Sequence, residues 1–346
     1  MSQPVVSPQL PILSRMAWLD VFRGAAVVFM IETHVANTFL REDLRETGWF
    51  TALTYLNGLV APSFLFISGY VQGTAWKGGL GRPVFLGKRL RRLGTIGLIG
   101  YGLHFPFPQL WQGDWTAAIR FGTQVDVLTC LAVSLFGLLL LTRGIQLLPE
   151  GWRNGIWWLM VGGLALAVIG ASPALARWPG LSIPVPLRAF LNVSTGSWFP
   201  LFPWSAFVLC GAMSGAMASL GPGLRLLVAV LVAGLGRMIP SESFSPFSPE
   251  FFLERLGWVL ALAWICEGVV RENPPDWLAL AGRESLLMYV GHLALIFFLA
   301  GTGLLPGQDL APGETLGWTL VVIILTFVMV VVKTRWRDAS VRAAEA

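Results

Sequence analysis

The stretch WLDVFRGAAVVFMIETH, residues 18–34, carries four ionisable side chains, Asp20, Arg23, Glu32 and His34, in an otherwise apolar run. Charges in such a run are costly in lipid and face an interior or a watery cavity, so each is a functional candidate. At ~100° and ~1.5 Å per residue, a helix brings Arg23 and His34 within ~20° of one face and ~16 Å apart along the axis. Asp20 lies one turn before Arg23 near that face and is placed to pair with it, whereas Glu32 points nearly opposite to His34. An imidazole titrates near neutral pH, which makes His34 a candidate general base toward a hydroxyl or an amine. The structural alternative is a snorkelling Arg23 at one membrane surface and an interfacial His34.

If such a base activates a hydroxyl or an amine for attack on a carbonyl, the developing oxyanion needs a donor. Asn37, one turn beyond His34, is one candidate, and His104 of HFPFP is another. Asp126 of TQVDVL is a candidate to orient either imidazole; all three are also the polar residues that commonly mark helix ends. KRLRR, residues 88–92, supplies guanidinium groups suited to phosphates, Arg89 and Arg92 among them. The positive-inside rule and anionic lipids produce the same kind of run, and consecutive helical positions do not share a face. Farther on, Ser285, Tyr289 and His292 stand at i, i+4 and i+7 and form one stripe. His292 is expected near mid-membrane, either lining a tunnel or hydrogen-bonded to a neighbouring helix. Arg283 and Glu284, just before it, belong to the mouth of that tunnel or to a surface ion pair.

The elements that carry these residues follow from composition. Of 346 residues, 55% are hydrophobic and 12% charged, against roughly 25% charge in a soluble domain. Such a chain cannot cover a soluble surface. Apolar stretches fall at about 16–38, 50–73, 85–106, 124–142, 155–172, 198–219, 223–239, 251–270, 284–304 and 315–332, each near the ~20 residues that a crossing helix needs. The expected fold is all-α, a polytopic bundle of about ten transmembrane helices. Sixteen basic residues fall in one set of loops and tails against seven in the other, which predicts that both termini are cytoplasmic. The net charge of +5 is thereby assigned to topology, and no nucleic-acid partner is expected. Residues 1–14 and 336–346 read as mobile tails around a membrane domain at 15–335, and the longest outer loop is expected at 173–197. Pro62 is expected to kink the second span, and Gly58, Gly69 and Gly73 to permit close helix packing. Cys130, Cys210 and Cys266 stand alone in apolar segments and read as small buried hydrophobes; no metal spacing is present. No cleavable signal peptide is evident.

Arg23, ten residues, then His34 resembles the Arg-x10-His signature of membrane-bound O-antigen acetylase-type acyltransferases. The wider pattern resembles the heparan-alpha-glucosaminide N-acetyltransferase family, particularly its bacterial members. The segments that carry the likeness are YLNGLVAPSFLFISGYVQG, FPLFPWSAFVLCGAMSG and ESLLMYVGHLALIFF, in that order. The resemblance spans residues 16 to about 300 and implies a transmembrane acyltransferase. Such an enzyme takes an acyl group, usually acetyl, from cytoplasmic acyl-CoA and passes it to a sugar hydroxyl or amine beyond the membrane. It would sit in the cell (inner) membrane with its active site outward. By position, the resemblance makes His34 the catalytic histidine and Arg23, with Asp20, part of the donor path. One departure is that the animal lysosomal enzymes carry Asn at the position of His34, with the catalytic His farther along, near Arg45 here. A different reading of the same residues is a transporter with Asp, Arg and His lining its path, although the paired inverted repeats common in transporters are not evident.

Overall fold

A computed structural model describes residues 16–77, 86–180, 182–240, 245–270, 274–305 and 307–345. Arg82, Arg271 and the expected N-terminal tail lie outside the described residues. Among these residues the protein is all-α. In chain order the helices are α1 Ala17–Phe39, α2 Gly48–Asn57, α3 Val60–Lys77, α4 Leu86–Leu103, α5 Phe107–Trp111, α6 Trp115–Gly122, α7 Val127–Gln146 and α8 Glu150–Arg177. They continue as α9 Val185–Arg188, α10 Leu201–Ala216, α11 Pro222–Met238, α12 Pro249–Val269, α13 Asp276–Arg283, α14 Ser285–Gly301 and α15 Pro312–Glu345.

Helix lies over each of the ten apolar stretches. By length and hydropathy four helices qualify to cross a membrane, namely Gly48–Trp76 taken through its bend, α7, α8 and α15. A fifth qualifies if α13 and α14, bent by 82° at their junction, count as one broken span. Large apolar side chains on the outside of α8 and α15, such as Leu159, Leu166 and Val332, are exposed, as a lipid-facing surface requires. The protein is therefore a membrane protein by its apolar helices.

The chain forms two compact units, 1–45 with 265–346, and 46–264. In the second unit α3 packs along α10, which also meets α7 and α8, while α4 packs on α7. The α3–α10 crossing is built from two reciprocal small-residue pairs. A Cβ at Gly69 or Gly73 would fall on the carbonyls of Val208 and Ala212, and one at Gly211 or Gly215 on those of Phe66 and Tyr70. The backbones therefore touch, which is how helices adhere where lipid removes any hydrophobic drive. In the first unit α1 packs against α13, α14 and α15, and α14 against α15.

Three local features differ from the sequence reading. The interruption near Pro62 falls at Gly58–Leu59, because the proline lacks an N–H and its ring collides with the carbonyl four residues earlier. The expected outer loop 173–197 is partly helical: α8 carries Pro173 internally and runs to Arg177, and α9 follows. Buried Asn192 ties that segment down, donating to the carbonyls of Leu175 at 3.1 Å and Trp178 at 2.7 Å. Helix α15 runs on through residues 336–345 of the expected C-terminal tail.

Gly211→Leu is expected to destabilise the protein by at least the roughly 1–3 kcal/mol of ordinary overpacking, because the obstacle is a backbone carbonyl. Gly163→Leu, at an exposed α8 position with nothing within 4 Å, is the control that should leave the melting temperature unchanged. Thermal unfolding of the two variants in the same detergent checks the difference.

Candidate functional site

Arg23 and His34 ride on one uninterrupted helix, so their relation on a common face is fixed by the backbone. Asp20 is buried, and Arg23 and His34 are half-buried. Glycine sets what lies against the lower part of that helix: a Cβ at Gly24 would meet the Leu278 carbonyl, and one at Gly282 the Asp20 carbonyl. Helix α13 thus presses its backbone onto the segment from Asp20 to Gly24. The chain then turns through 82° at Glu284 and departs as α14, which carries His292 to the level of His34. The two imidazole rings stand 5.3 Å apart between centroids, tilted by 47°. His292 is fully buried, and its Nδ1 lies 2.8 Å from the Met288 carbonyl one turn earlier. The buried Tyr289 ring meets His292 edge-on at 5.7 Å.

At the bend, Glu284 does not pair with Arg283. Its carboxylate accepts from Lys333 at 2.6 Å and from Arg337 at 3.5 Å, both on α15. Leu280, Arg283, Glu284, Thr334, Arg337 and Asp338 line a hollow of about 500 Å³ there, a size common for ligand sites. No carboxylate or carbonyl takes the Arg283 guanidinium among the described residues. At the other end of α1, Asn37 is exposed and its carbonyl accepts from Arg45 at 2.7 Å. Exposed Arg41 and Asp43 form a double hydrogen bond at 3.0 and 2.6 Å. That bond holds the Asp43 carboxyl below the usual carboxylate range.

The remaining candidates belong to the second unit. Asp126 caps α7, where Oδ1 accepts from the Thr129 amide at 2.7 Å, and its buried Oδ2 has no hydrogen-bond partner there. His104 sets Nδ1 3.2 Å from the Gly100 carbonyl and rests against Phe121. No hydrogen bond joins His104 to Asp126. Of the KRLRR run, Arg89 turns inward to Gln72 at 3.2 Å, beside Arg143, while Arg91 and Arg92 are exposed. Gly58, Gly69 and Gly73 are all packing positions, Gly58 beneath the Arg255 guanidinium.

A polar cluster in this unit joins the adjacent charges Glu254 and Arg255 to Tyr55 and Arg237, partners that sequence reasoning missed. Glu254 accepts from the Tyr55 hydroxyl and from Arg237 at 3.0 and 2.8 Å. Arg255 is buried, donates to the Tyr55 carbonyl and lies 4.0 Å over the Tyr55 ring. Tyr55 is 199 residues from Glu254, so no local spacing announces the link. The available signal was two adjacent charges inside an apolar segment.

The family model for the catalytic domain of heparan-alpha-glucosaminide N-acetyltransferase matches residues 15–238. The match covers well over half of the chain, and the chain belongs to this family. It includes α1 through α11, with Arg23, His34, Asn37, His104 and Asp126, and ends before α14 and His292. No curated protein matches the chain.

Glu254→Leu removes the acceptor shared by Tyr55 and Arg237 and leaves Arg255 buried without that neighbouring charge, so it should lower the melting temperature by several degrees. Asp43→Ala, which breaks an exposed pair, should change it little. The comparison is made by thermal unfolding, and equal effects would reject the ranking.

Proposed function

We propose that this member of the heparan-alpha-glucosaminide N-acetyltransferase catalytic family passes an acyl group, acetyl in the first instance, from cytoplasmic acyl-CoA to a hydroxyl or amine of an extracytoplasmic glycan or glycolipid. His34 is the general base. The observation that carries this reading is the approach of His34 to His292 in the same unit as the cationic hollow at the α13–α14 bend. Family membership favours transfer over the transporter reading. The reading includes a crossing of the cell (inner) membrane by about ten helices, some short or broken, with both termini cytoplasmic. Its support is the apolar stretches and the charge asymmetry of the loops.

In this scheme Arg283 and Arg337 receive the phosphates of the donor, since guanidinium groups match phosphate oxygens bidentately. The seven residues from Ser285 to His292 rise ~10 Å along α14, and the donor arm follows that rise past the Asp20–Arg23 level toward His34. There the His34 lone pair takes the proton of the acceptor hydroxyl or amine as its oxygen or nitrogen attacks the acyl carbonyl carbon. The tetrahedral intermediate expels the CoA thiolate by cleavage of the C–S bond, and the thiolate takes the proton from the imidazolium. Asn37, one turn beyond His34 on the same helix, is the proposed oxyanion donor.

His34→Ala should reduce acetyl transfer from radiolabelled acetyl-CoA to mixed glycans by about 100-fold or more, the usual contribution of a general base. Transfer that survives this change intact overturns the assignment, and solute flux in proteoliposomes without acylation would restore the transporter. Arg283→Ala should raise the KM for acetyl-CoA by about 10-fold, as loss of one charge-assisted hydrogen bond predicts, with kcat nearly unchanged. Steady-state kinetics with acetyl-CoA as the varied substrate separates the two parameters.

A further inference from the structure

His292 satisfies only half of its imidazole. Its Nδ1 lies 2.8 Å from the Met288 carbonyl, and a carbonyl only accepts, so Nδ1 carries the hydrogen. A neutral imidazole with hydrogen on Nδ1 keeps a lone pair on Nε2 and is an acceptor there. That Nε2 is buried and has no hydrogen-bond partner. An orphaned acceptor in a fully buried side chain costs free energy unless something donates to it.

Two rings face His292. Tyr289 lies edge-on from the preceding turn of α14, and His34 approaches from α1 at 5.3 Å. An N–H···N bond of about 3 Å, between nitrogens each roughly an ångström from their ring centres, spans about that separation. The His34 ring is half-buried, and the terminal torsion of histidine has a broad minimum, so a small ring rotation is enough to aim an N–H at His292.

We propose that His292 is a positioning residue for His34, accepting a hydrogen bond from one His34 ring nitrogen through Nε2. It thereby fixes which His34 nitrogen keeps the lone pair. The Met288 carbonyl sets the His292 tautomer, His292 sets the His34 tautomer, and the free His34 nitrogen is left facing the acceptor. When His34 takes the acceptor proton it becomes an imidazolium, and its N–H to His292 becomes a charge-assisted bond, stronger than before. The bond therefore stabilises the transition state more than the resting enzyme. No further reactant is needed, because the proton leaves on the thiolate. The inference rests on the function proposed for His34, and it adds a residue outside the span matched by the family model.

The full-length protein contains three histidines, so 15N-histidine labelling gives three imidazoles that single substitutions assign. His292 is expected to show a protonated Nδ1 and a hydrogen-bonded, unprotonated Nε2, and His34 a single tautomer. In His292→Phe, His34 should become a tautomer mixture and kcat should fall by about 100-fold, with the KM for acetyl-CoA unchanged. His292→Gln keeps a side-chain carbonyl acceptor and should recover part of both, and it covers the case in which the phenylalanine variant does not fold. Tyr289→Phe should leave the His34 tautomer as it is. A hydrogen on His292 Nε2, or a His34 tautomer indifferent to His292→Phe, overturns the pairing. Unchanged kcat in that variant overturns the positioning role. Expected spectra in a protein that transfers no acyl group would instead reject the acyltransferase reading and leave the pairing intact.

Discussion

Among the described residues, helix backbones come close where a side chain is missing. Within lipid, apolar side chains gain little by exchanging one apolar neighbour for another, so helices hold together when their backbones approach. Gly24 and Gly282 allow this between α1 and α13, as two glycine pairs do between α3 and α10. The first approach has a consequence for the site. Because α13 lies against the stretch from Asp20 to Gly24, the chain must turn to continue, and the turn at Glu284 delivers α14 and His292 to the other end of α1. Two glycines at the level of Arg23 thus govern the geometry at His34.

Hydroxyl side chains contribute less to helix pairing than their number suggests. Thr315, Thr319, Thr326 and Thr334 on α15, Ser205 and Ser214 on α10 and Ser134 on α7 each donate to the carbonyl four residues earlier. Such bonds spend the hydroxyl's one hydrogen within its own helix and leave it none to donate to a neighbour. Polar links between helices then fall to a few larger groups: Tyr55, Arg237 and Glu254 in one unit, and Glu284 with Lys333 and Arg337 in the other. His292 obeys the same i−4 rule as the hydroxyls through Nδ1. An imidazole, however, has a second nitrogen, and at His292 that buried Nε2 has no hydrogen-bond partner.

The sequence makes legible what depends on periodicity and hydropathy. The apolar stretches are helical, the Arg23–His34 face survives because α1 is unbroken, and the Ser285–Tyr289–His292 stripe lies on one helix. Features that depend on two distant backbones meeting are not legible. Glycine reads as a packing residue at Gly69 and Gly73, but nothing local says that Val208 and Ala212 are what they meet. Glu284 reads as a partner for the adjacent Arg283, yet its ion pairs lie 49 and 53 residues away on α15. Pro62 reads as a kink, and the break appears one turn earlier, because the steric conflict of proline is with the carbonyl behind it. The meeting of His34 with His292 depends on the bend at Glu284, which no composition rule places.

Under the proposed function, that bend also decides how the donor is held. The hollow contains Arg283, Arg337, Glu284 and Asp338, and Lys333 reaches Glu284 from α15. Three cations against two anions leave it net positive, with Arg283 the cation least committed to a protein carboxylate. The Lys333 contact to Glu284 is short at 2.6 Å, while that of Arg337 is long at 3.5 Å and exposed. Exposed ion pairs contribute little because water screens them, so exchanging that loose carboxylate for a phosphate has little cost. Lys333 then keeps Glu284 neutralised, and the two arginines are released together toward the ligand. A fixed lysine–glutamate pair with two adaptable guanidinium groups admits a polyanion without burying an unpaired charge in its absence.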